Sequence, residues 1–194
     1  MSQYTLHSFQ SATEKTEQLF DWIFMTIQPF LKGRILETDS GQGYFSSKLS
    51  ADGYTIQLNA ISEPNREELQ ARFKNAAMVR GVHKINFQTS KMELKYVGFK
   101  DQFATVLAIC EIPGFHSFHT EMPVKALRFL QSEGHLIIVG KSTIELFPNS
   151  QADIAELKRY HRADLKRLFI GCDILKVEYF DYDGLFFLAV GKKH

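Results

Sequence analysis

The stretch that determines the fold runs from Arg34 to Leu49 and reads RILETDSGQGYFSSKL. Its first part, Arg34–Thr38, predicts a short strand, and its last part predicts a helix with Phe45 and Leu49 on one face. Between them lies the turn Asp39-Ser-Gly-Gln-Gly43. Glycines in such a turn adopt backbone angles that other residues avoid, and they let a ligand approach the main chain. Because the helix that follows offers free N–H groups, this unit predicts a binding site.

Strand and helix patterns alternate on both sides of this unit. The other predicted strands span 54–61, 84–88, 103–109, 135–139, 174–182 and 185–190, and the other predicted helices span 12–30, 122–130 and 161–170, with one more that begins at Ser62. The segment FATVLAI at 103–109 is apolar throughout, which is typical of a central strand covered on both faces. The last two strands are joined by Asp183-Gly184, a strong hairpin signal. This order predicts an α/β fold with a mostly parallel sheet and an antiparallel strand from the closing hairpin.

Composition and charge narrow the class of protein. The 194 residues fit one domain spanning 1–194, with a helical segment at 1–31 packed on it, and 44% of them are hydrophobic. The net charge of +1 gives no electrostatic reason to expect nucleic acid or an anionic membrane as a partner. No apolar run approaches the roughly 18 residues that span a bilayer, and no signal peptide is evident. We therefore expect a cytoplasmic protein that binds neither nucleic acid nor membrane.

The same unit carries a family resemblance. The stretch ILETDSGQGYFSSKL resembles the glycine-rich motif of class I S-adenosylmethionine-dependent methyltransferases, in which an acidic residue is followed by three glycines at alternate positions. Glu37 matches the acid, and Gly41 and Gly43 match the second and third glycines. The segments at 103–109 and 133–138 resemble the family's fourth and fifth strands, and the closing hairpin resembles its last two. The resemblance covers nearly the whole chain.

This resemblance implies both a fold and a cofactor. The fold would be a Rossmann-like three-layer sandwich with a mostly parallel seven-stranded sheet whose last strand is antiparallel. The cofactor would be S-adenosylmethionine, lying across the ends of strands one, two and four, and its methyl group would pass in line to a nucleophile. Because such enzymes often contribute mainly positioning, no catalytic residue is assigned.

Nine residues are candidates for the cofactor site. On the methionine and ribose side they are Glu37, Asp39, Ser40, Gly41 and Gly43, and the rest of the site would be lined by Asn59, Ala60, Ser90 and Ile109. No metal site is assigned, because His116 and His119 have no third ligand nearby. The two cysteines are far apart in sequence and form no metal-binding spacing.

Two positions and one segment depart from the family's pattern. Asp39 stands where the family has its first glycine, and it is either a cofactor contact or the N-cap of the next helix. Ala60 stands where the family usually has the acid that binds the ribose hydroxyl groups, and strand alternation should point Asn59 to the other face. The segment 88–91, after the predicted third strand, contains no carboxylate. Each missing charged acceptor would cost roughly 1.5–3 kcal/mol of binding free energy if nothing replaces it.

Two functions of different kinds follow. The first is a methyltransferase-like protein that binds S-adenosylmethionine and methylates a small-molecule acceptor. The second is a noncatalytic member that keeps the fold as a binding or assembly module. A dinucleotide oxidoreductase is a distant third, since the turn lacks the full GxGxxG pattern and no acid ends the second strand. The sequence names neither the acceptor nor the oligomeric state.

Overall fold

The fold comes from a computed structural model, and the description that follows concerns residues 12–87, 94–110, 122–141, 162–181 and 185–194. The strands are β1 (Arg34–Glu37), β2 (Thr55–Asn59), β3 (Val79–His83), β4 (Phe103–Ile109), β5 (Leu130–Lys141), β6 (Cys172–Asp181) and β7 (Leu185–Lys193). The helices are α1 (Ala12–Ile27), α2 (Tyr44–Ala51), α3 (Glu63–Arg72), α4 (Met122–Ala126) and α5 (Arg162–Leu168). Two 3-10 helices, Gln28–Phe30 and Leu94–Phe99, complete the described elements.

The seven strands form one sheet in the order β3-β2-β1-β4-β5-β7-β6. Strands β1 to β5 pair in parallel, whereas β7 runs antiparallel to both of its neighbours, β5 and β6. The order reverses between β1 and β4, so a crevice is expected at the carboxyl ends of these two strands. The prediction of a mostly parallel seven-stranded sheet with an antiparallel last strand is confirmed.

Two apolar clusters cover the two faces of the sheet. One contains side chains of α1, α2 and α3, and it includes Ile23, Phe45 and Leu69. The other contains side chains of α4, α5 and the second 3-10 helix, and it includes Met122 and Leu168. Every residue of β4 is buried, as its apolar run predicts. The result is the expected three-layer sandwich.

The prediction for the third strand is wrong. It was expected at 84–88, whereas β3 spans Val79–His83 and pairs with β2. Periodicity misses this strand because β3 lies at the edge of the sheet, is only partly buried and contains Gly81. The backbone N–H of Lys84 instead donates to the Tyr96 hydroxyl group, and that of Ile85 donates to the Asn59 side chain. These two residues are therefore bonded to side chains and not to a neighbouring strand.

Several element ends differ from the predicted ones by a few residues. Strand β5 begins five residues earlier than expected, and α4 ends four residues earlier. The helix predicted to begin at Ser62 is confirmed as α3, and Ser62 is its N-cap, because its hydroxyl oxygen accepts a hydrogen bond from the backbone N–H of Asn65. The predicted hairpin turn at Asp183-Gly184 lies outside the described residues, although the two strands that flank it pair as expected. None of the helices in the described ranges is long and apolar enough to cross a bilayer.

Candidate cofactor site

The turn after β1 folds on itself through its own polar groups. The Asp39 carboxylate accepts a hydrogen bond from the backbone N–H of Gly41 at 2.9 Å, and the Gly43 N–H donates to the Ser40 carbonyl at 2.7 Å. Gly41 and Gly43 have positive φ angles of 49° and 79°, which explains why glycine is needed at both positions. The N-cap of α2 is Gly43, so the interpretation of Asp39 as that N-cap is wrong. The Asp39 carboxylate closes the turn at Gly41, before the helix starts.

Two side chains of α3 fasten this turn from outside. The Asn65 amide nitrogen Nδ2 donates to the Gly41 carbonyl at 2.7 Å, and the Arg72 guanidinium donates to the Gln42 carbonyl at 2.8 Å. The turn and α3 also approach closely at Gly43. A Cβ atom added there would lie 2.6 Å from the Phe73 ring. This glycine therefore allows a helix to pack against the turn.

Glu37 is a buried carboxyl group at the end of β1. Its side chain is 2% exposed, and its Oε2 accepts a hydrogen bond from the Ser46 hydroxyl group at 2.5 Å. Burial raises the pKa of Glu37 to about 7; hydrogen bonds with Ser40 and Ser46 lower it in part, and the Asp39 charge raises it. Because both protonation states are then populated near neutral pH, a cation beside this group would favour the charged form.

Asn59 joins three segments at the carboxyl end of the sheet. Its Nδ2 donates to the carbonyl groups of Thr38 and Ile85, and its Oδ1 accepts from the Ile85 N–H at 2.6 Å. Its backbone N–H donates to the Ser40 hydroxyl oxygen at 3.1 Å. Both amide hydrogens of Asn59 are thus occupied within the protein, which leaves one lone pair of Oδ1 for any other partner.

The other candidate residues have less polar surroundings. Ala60 and Ile109 are buried in the apolar cluster that contains α1, α2 and α3, and Ile109 pairs with Val139 of β5. Ser90 lies outside the described residues. Between β3 and residue 87 no carboxylate is present. The candidate residues that the structure brings together are therefore Glu37, Asp39, Ser40, Gly41, Gly43 and Asn59. Ala60, the residue after Asn59, has no polar side chain.

Three buried side-chain oxygens in the described part of the chain have no hydrogen-bond partner: Glu37 Oε1, Thr38 Oγ1 and Asn65 Oδ1. All three flank the same turn, because Glu37 and Thr38 precede it directly and Asn65 is bonded to Gly41. Folded proteins leave few buried polar atoms unpaired, and each such atom costs about 1–3 kcal/mol of stability. Three such atoms around one glycine turn indicate a place for a polar ligand.

Sequence reasoning missed Ser46 and Asn65. A signal for Ser46 was present, because a polar residue next to Phe45, on the buried face of α2, needs a partner inside the protein. Asn65 gave no signal, since an asparagine in the first turn of a helix is ordinary. Its contact with Gly41 depends on how α3 packs against the turn. No group of three potential metal ligands occurs among the residues described, and His116 and His119 lie outside them.

Comparison with known proteins identifies the fold. No protein-family model matches the sequence, and no curated protein is similar to it in sequence. Among solved structures, the N-methyltransferase NodS from Bradyrhizobium japonicum WM9 superposes with a TM-score of 0.64 at 11% identity, over 95% of this chain and 99% of that one. A SAM-dependent methyltransferase from Methanosarcina mazei gives a TM-score of 0.60 at 13% identity, over 87% of this chain and 96% of that one.

A third solved structure, geranyl diphosphate methyltransferase in complex with SAM, gives a TM-score of 0.62 at 12% identity, over 94% of this chain and 85% of that one. At these identities the similarity concerns the fold. The chain has the class I methyltransferase fold, as its glycine-rich turn and its order of elements predict.

Proposed function

We propose that this protein binds S-adenosylmethionine at the carboxyl ends of β1, β2 and β4 and transfers its methyl group to a small-molecule acceptor. The observation that supports this most is the set of unpaired buried oxygens of Glu37, Thr38 and Asn65 around the glycine turn. In this fold such a turn lies at the reversal of strand order, where ligands bind. The proposal includes one domain over 1–194 and a cytoplasmic location.

The residues around β1 fit the methionine end of this cofactor. Glu37 Oε1 is a buried acceptor without a partner, and an ammonium group supplies the cationic donor that such an acceptor lacks. The hydrogen bond between Asp39 and Gly41 fixes the turn beside which the ligand would lie. The bound cofactor would supply a methyl group on a sulfonium, and the protein would orient it and exclude water.

The proposal assigns no general base to the transfer step. The Ser46 hydroxyl group donates to Glu37, and the proposal uses the unpaired oxygen of Glu37 for the ammonium group of the cofactor, so neither is assigned as a base. Holding the acceptor in line with the reacting bond is enough to lower the barrier by several kcal/mol. We therefore expect the acceptor to be a good nucleophile by itself, such as an amine or a thiolate.

The lack of free hydrogen-bonding side-chain groups among the described residues at the end of β2 favours a noncatalytic role. The amide hydrogens of Asn59 are occupied, and the side chain of Ala60 lies among apolar side chains. A site that had lost its cofactor would need no acceptor there. In that case the fold would serve as a binding or assembly module, and the unpaired oxygens would be residual features of it.

Thermal unfolding with and without S-adenosylhomocysteine separates these two functions. A ligand at a hundredfold excess over its dissociation constant stabilises the folded state by about 2.7 kcal/mol. For a chain of this size we expect the melting temperature to rise by about 5–10 °C. S-adenosylmethionine should raise the melting temperature by a similar amount, whereas adenosine or methionine alone should raise it less.

Two matched variants make this test specific. Gly41→Asp places a carboxylate in the turn and should abolish the shift, whereas Gly53→Asp makes the same change at another positive-φ glycine in an open place and should retain it. The absence of any shift in the wild-type protein at millimolar ligand would refute the cofactor site and leave the noncatalytic role.

A further inference from the structure

The side chain of Asn65 has a fixed orientation beside the glycine turn. Its Nδ2 must face the Gly41 carbonyl, 2.7 Å away, because only the nitrogen end of the amide can donate to that oxygen. Its backbone N–H is fastened to the Ser62 hydroxyl oxygen at the start of α3. The other end of the amide, Oδ1, is therefore also fixed in position, and it is buried without a partner.

The proposed ligand has two kinds of hydrogen-bond donor, a charged ammonium group and neutral hydroxyl groups. The two acceptors that could receive these hydrogen bonds also differ in charge. Glu37 Oε1 belongs to an ionisable group and suits the ammonium group. Asn65 Oδ1 is neutral, and it belongs to α3, the helix that follows β2. A neutral carbonyl oxygen suits a hydroxyl group, and the ribose of the cofactor carries two of them.

Among the described residues, the only other buried side-chain oxygens without a partner are Glu37 Oε1 and Thr38 Oγ1, which both lie at the end of β1. Ala60 has no polar side-chain atom, and Asn59 Oδ1 already accepts from the Ile85 N–H. The Ser62 hydroxyl oxygen already accepts from the Asn65 N–H. A buried hydroxyl group of a ligand would lose its bond to water and needs an acceptor in exchange.

We propose that Asn65 Oδ1 accepts a hydrogen bond from a ribose hydroxyl group of the cofactor and so takes the place of a carboxylate at position 60. This inference rests on the proposed function, since it concerns the same ligand. It makes Asn65 a binding residue with two tasks: its nitrogen fastens the turn, and its oxygen recognises the ligand. Because the acceptor is neutral, discrimination between ribose and deoxyribose should be moderate.

The test compares S-adenosylhomocysteine with its 2′-deoxy and 3′-deoxy analogues by calorimetric titration. The wild-type protein should bind one of the two deoxy analogues about tenfold more weakly than the parent compound, since a buried acceptor is then left unpaired. In Asn65→Ala this difference should fall below about twofold. Asn75→Ala removes an exposed asparagine from the turn after α3 and serves as the control.

The outcomes separate this inference from the proposed function. If Asn65→Ala weakens binding of all three ligands by the same factor, Asn65 acts only on the turn, and the inference is overturned while the cofactor site stands. If the wild-type protein binds all three ligands equally, the inference fails without reference to any variant. If the wild-type protein binds none of them, the proposed function fails as well.

Discussion

Replacing Glu37 with glutamine is expected to remove the loss of stability that the ligand-free wild type shows as the pH rises, and to weaken binding of the cofactor. The stability difference between Glu37→Gln and wild type should move in favour of the variant by about 3 kcal/mol between pH 4.5 and pH 8. Urea unfolding at a series of pH values measures this difference. Any constant cost of fitting the amide cancels, because only the change with pH is compared.

The sign of this effect follows from the direction of the pKa change. The Glu37 carboxyl has a pKa of about 7 in the folded protein, raised from 4.5 chiefly by burial. Between these two values the unfolded chain has lost a proton that the folded protein keeps, so the wild type loses stability as the pH rises through this window. Above about pH 7 the loss is complete. Glutamine does not ionise, and the variant is spared this loss.

The same substitution should reduce the affinity for S-adenosylmethionine about 10- to 100-fold at pH 8, because a neutral amide replaces the charged partner of the ammonium group. Glu67→Gln, which removes an exposed carboxylate from α3, is the matched control and should follow the wild type in both measurements. A Glu37→Gln protein that binds the ligand as tightly as wild type would exclude contact between this carboxylate and the ammonium group.

Gly43→Ala should destabilise the protein by roughly 2–5 kcal/mol. Its φ angle of 79° costs an L-residue about 1–2 kcal/mol. The new methyl group would also meet the Phe73 ring at 2.6 Å and the Leu69 side chain at 3.0 Å, and overpacking of this kind costs about 1–3 kcal/mol. Urea unfolding gives the free energy directly.

Gly53→Ala isolates the contribution of packing. Gly53 has a similar φ angle of 84°, but a Cβ atom there would meet nothing within 4 Å. We expect this variant to lose only about 1 kcal/mol, since the strain is partly offset by the lower entropy of the unfolded chain. Equal losses in the two variants would show that close approach of α3 to the turn is not what requires glycine at position 43.

The sequence alone predicts the central part of this fold well. The apolar run at 103–109 coincides with β4 because a strand covered on both faces must be apolar throughout. The turn at 39–43 is found because its glycines have a local reason, a positive φ angle. The edge strand β3 is missed because its partial exposure removes the apolar pattern on which the prediction depends.

The candidate site can be predicted only where its residues lie close together in the sequence. Glu37 and the glycines stand within one motif, whereas the contact of Asn65 with Gly41 joins residues 24 positions apart. The occupied hydrogen bonds of Asn59 likewise depend on Ile85, which comes close only when β2 and β3 pair. Such partners follow from packing and not from spacing, so the sequence could list Asn59 as a candidate without showing what it binds.

Calorimetric titration of S-adenosylhomocysteine at pH 7, in two buffers with different ionisation enthalpies, tests most directly whether Glu37 and the glycine turn bind this cofactor. A carboxyl group with a pKa of about 7 is half protonated at this pH, so binding should release roughly half a proton per ligand as Glu37 becomes charged. The release should vanish in Glu37→Gln. Absence of binding at millimolar ligand, or the same proton release in wild type and variant, would contradict this account.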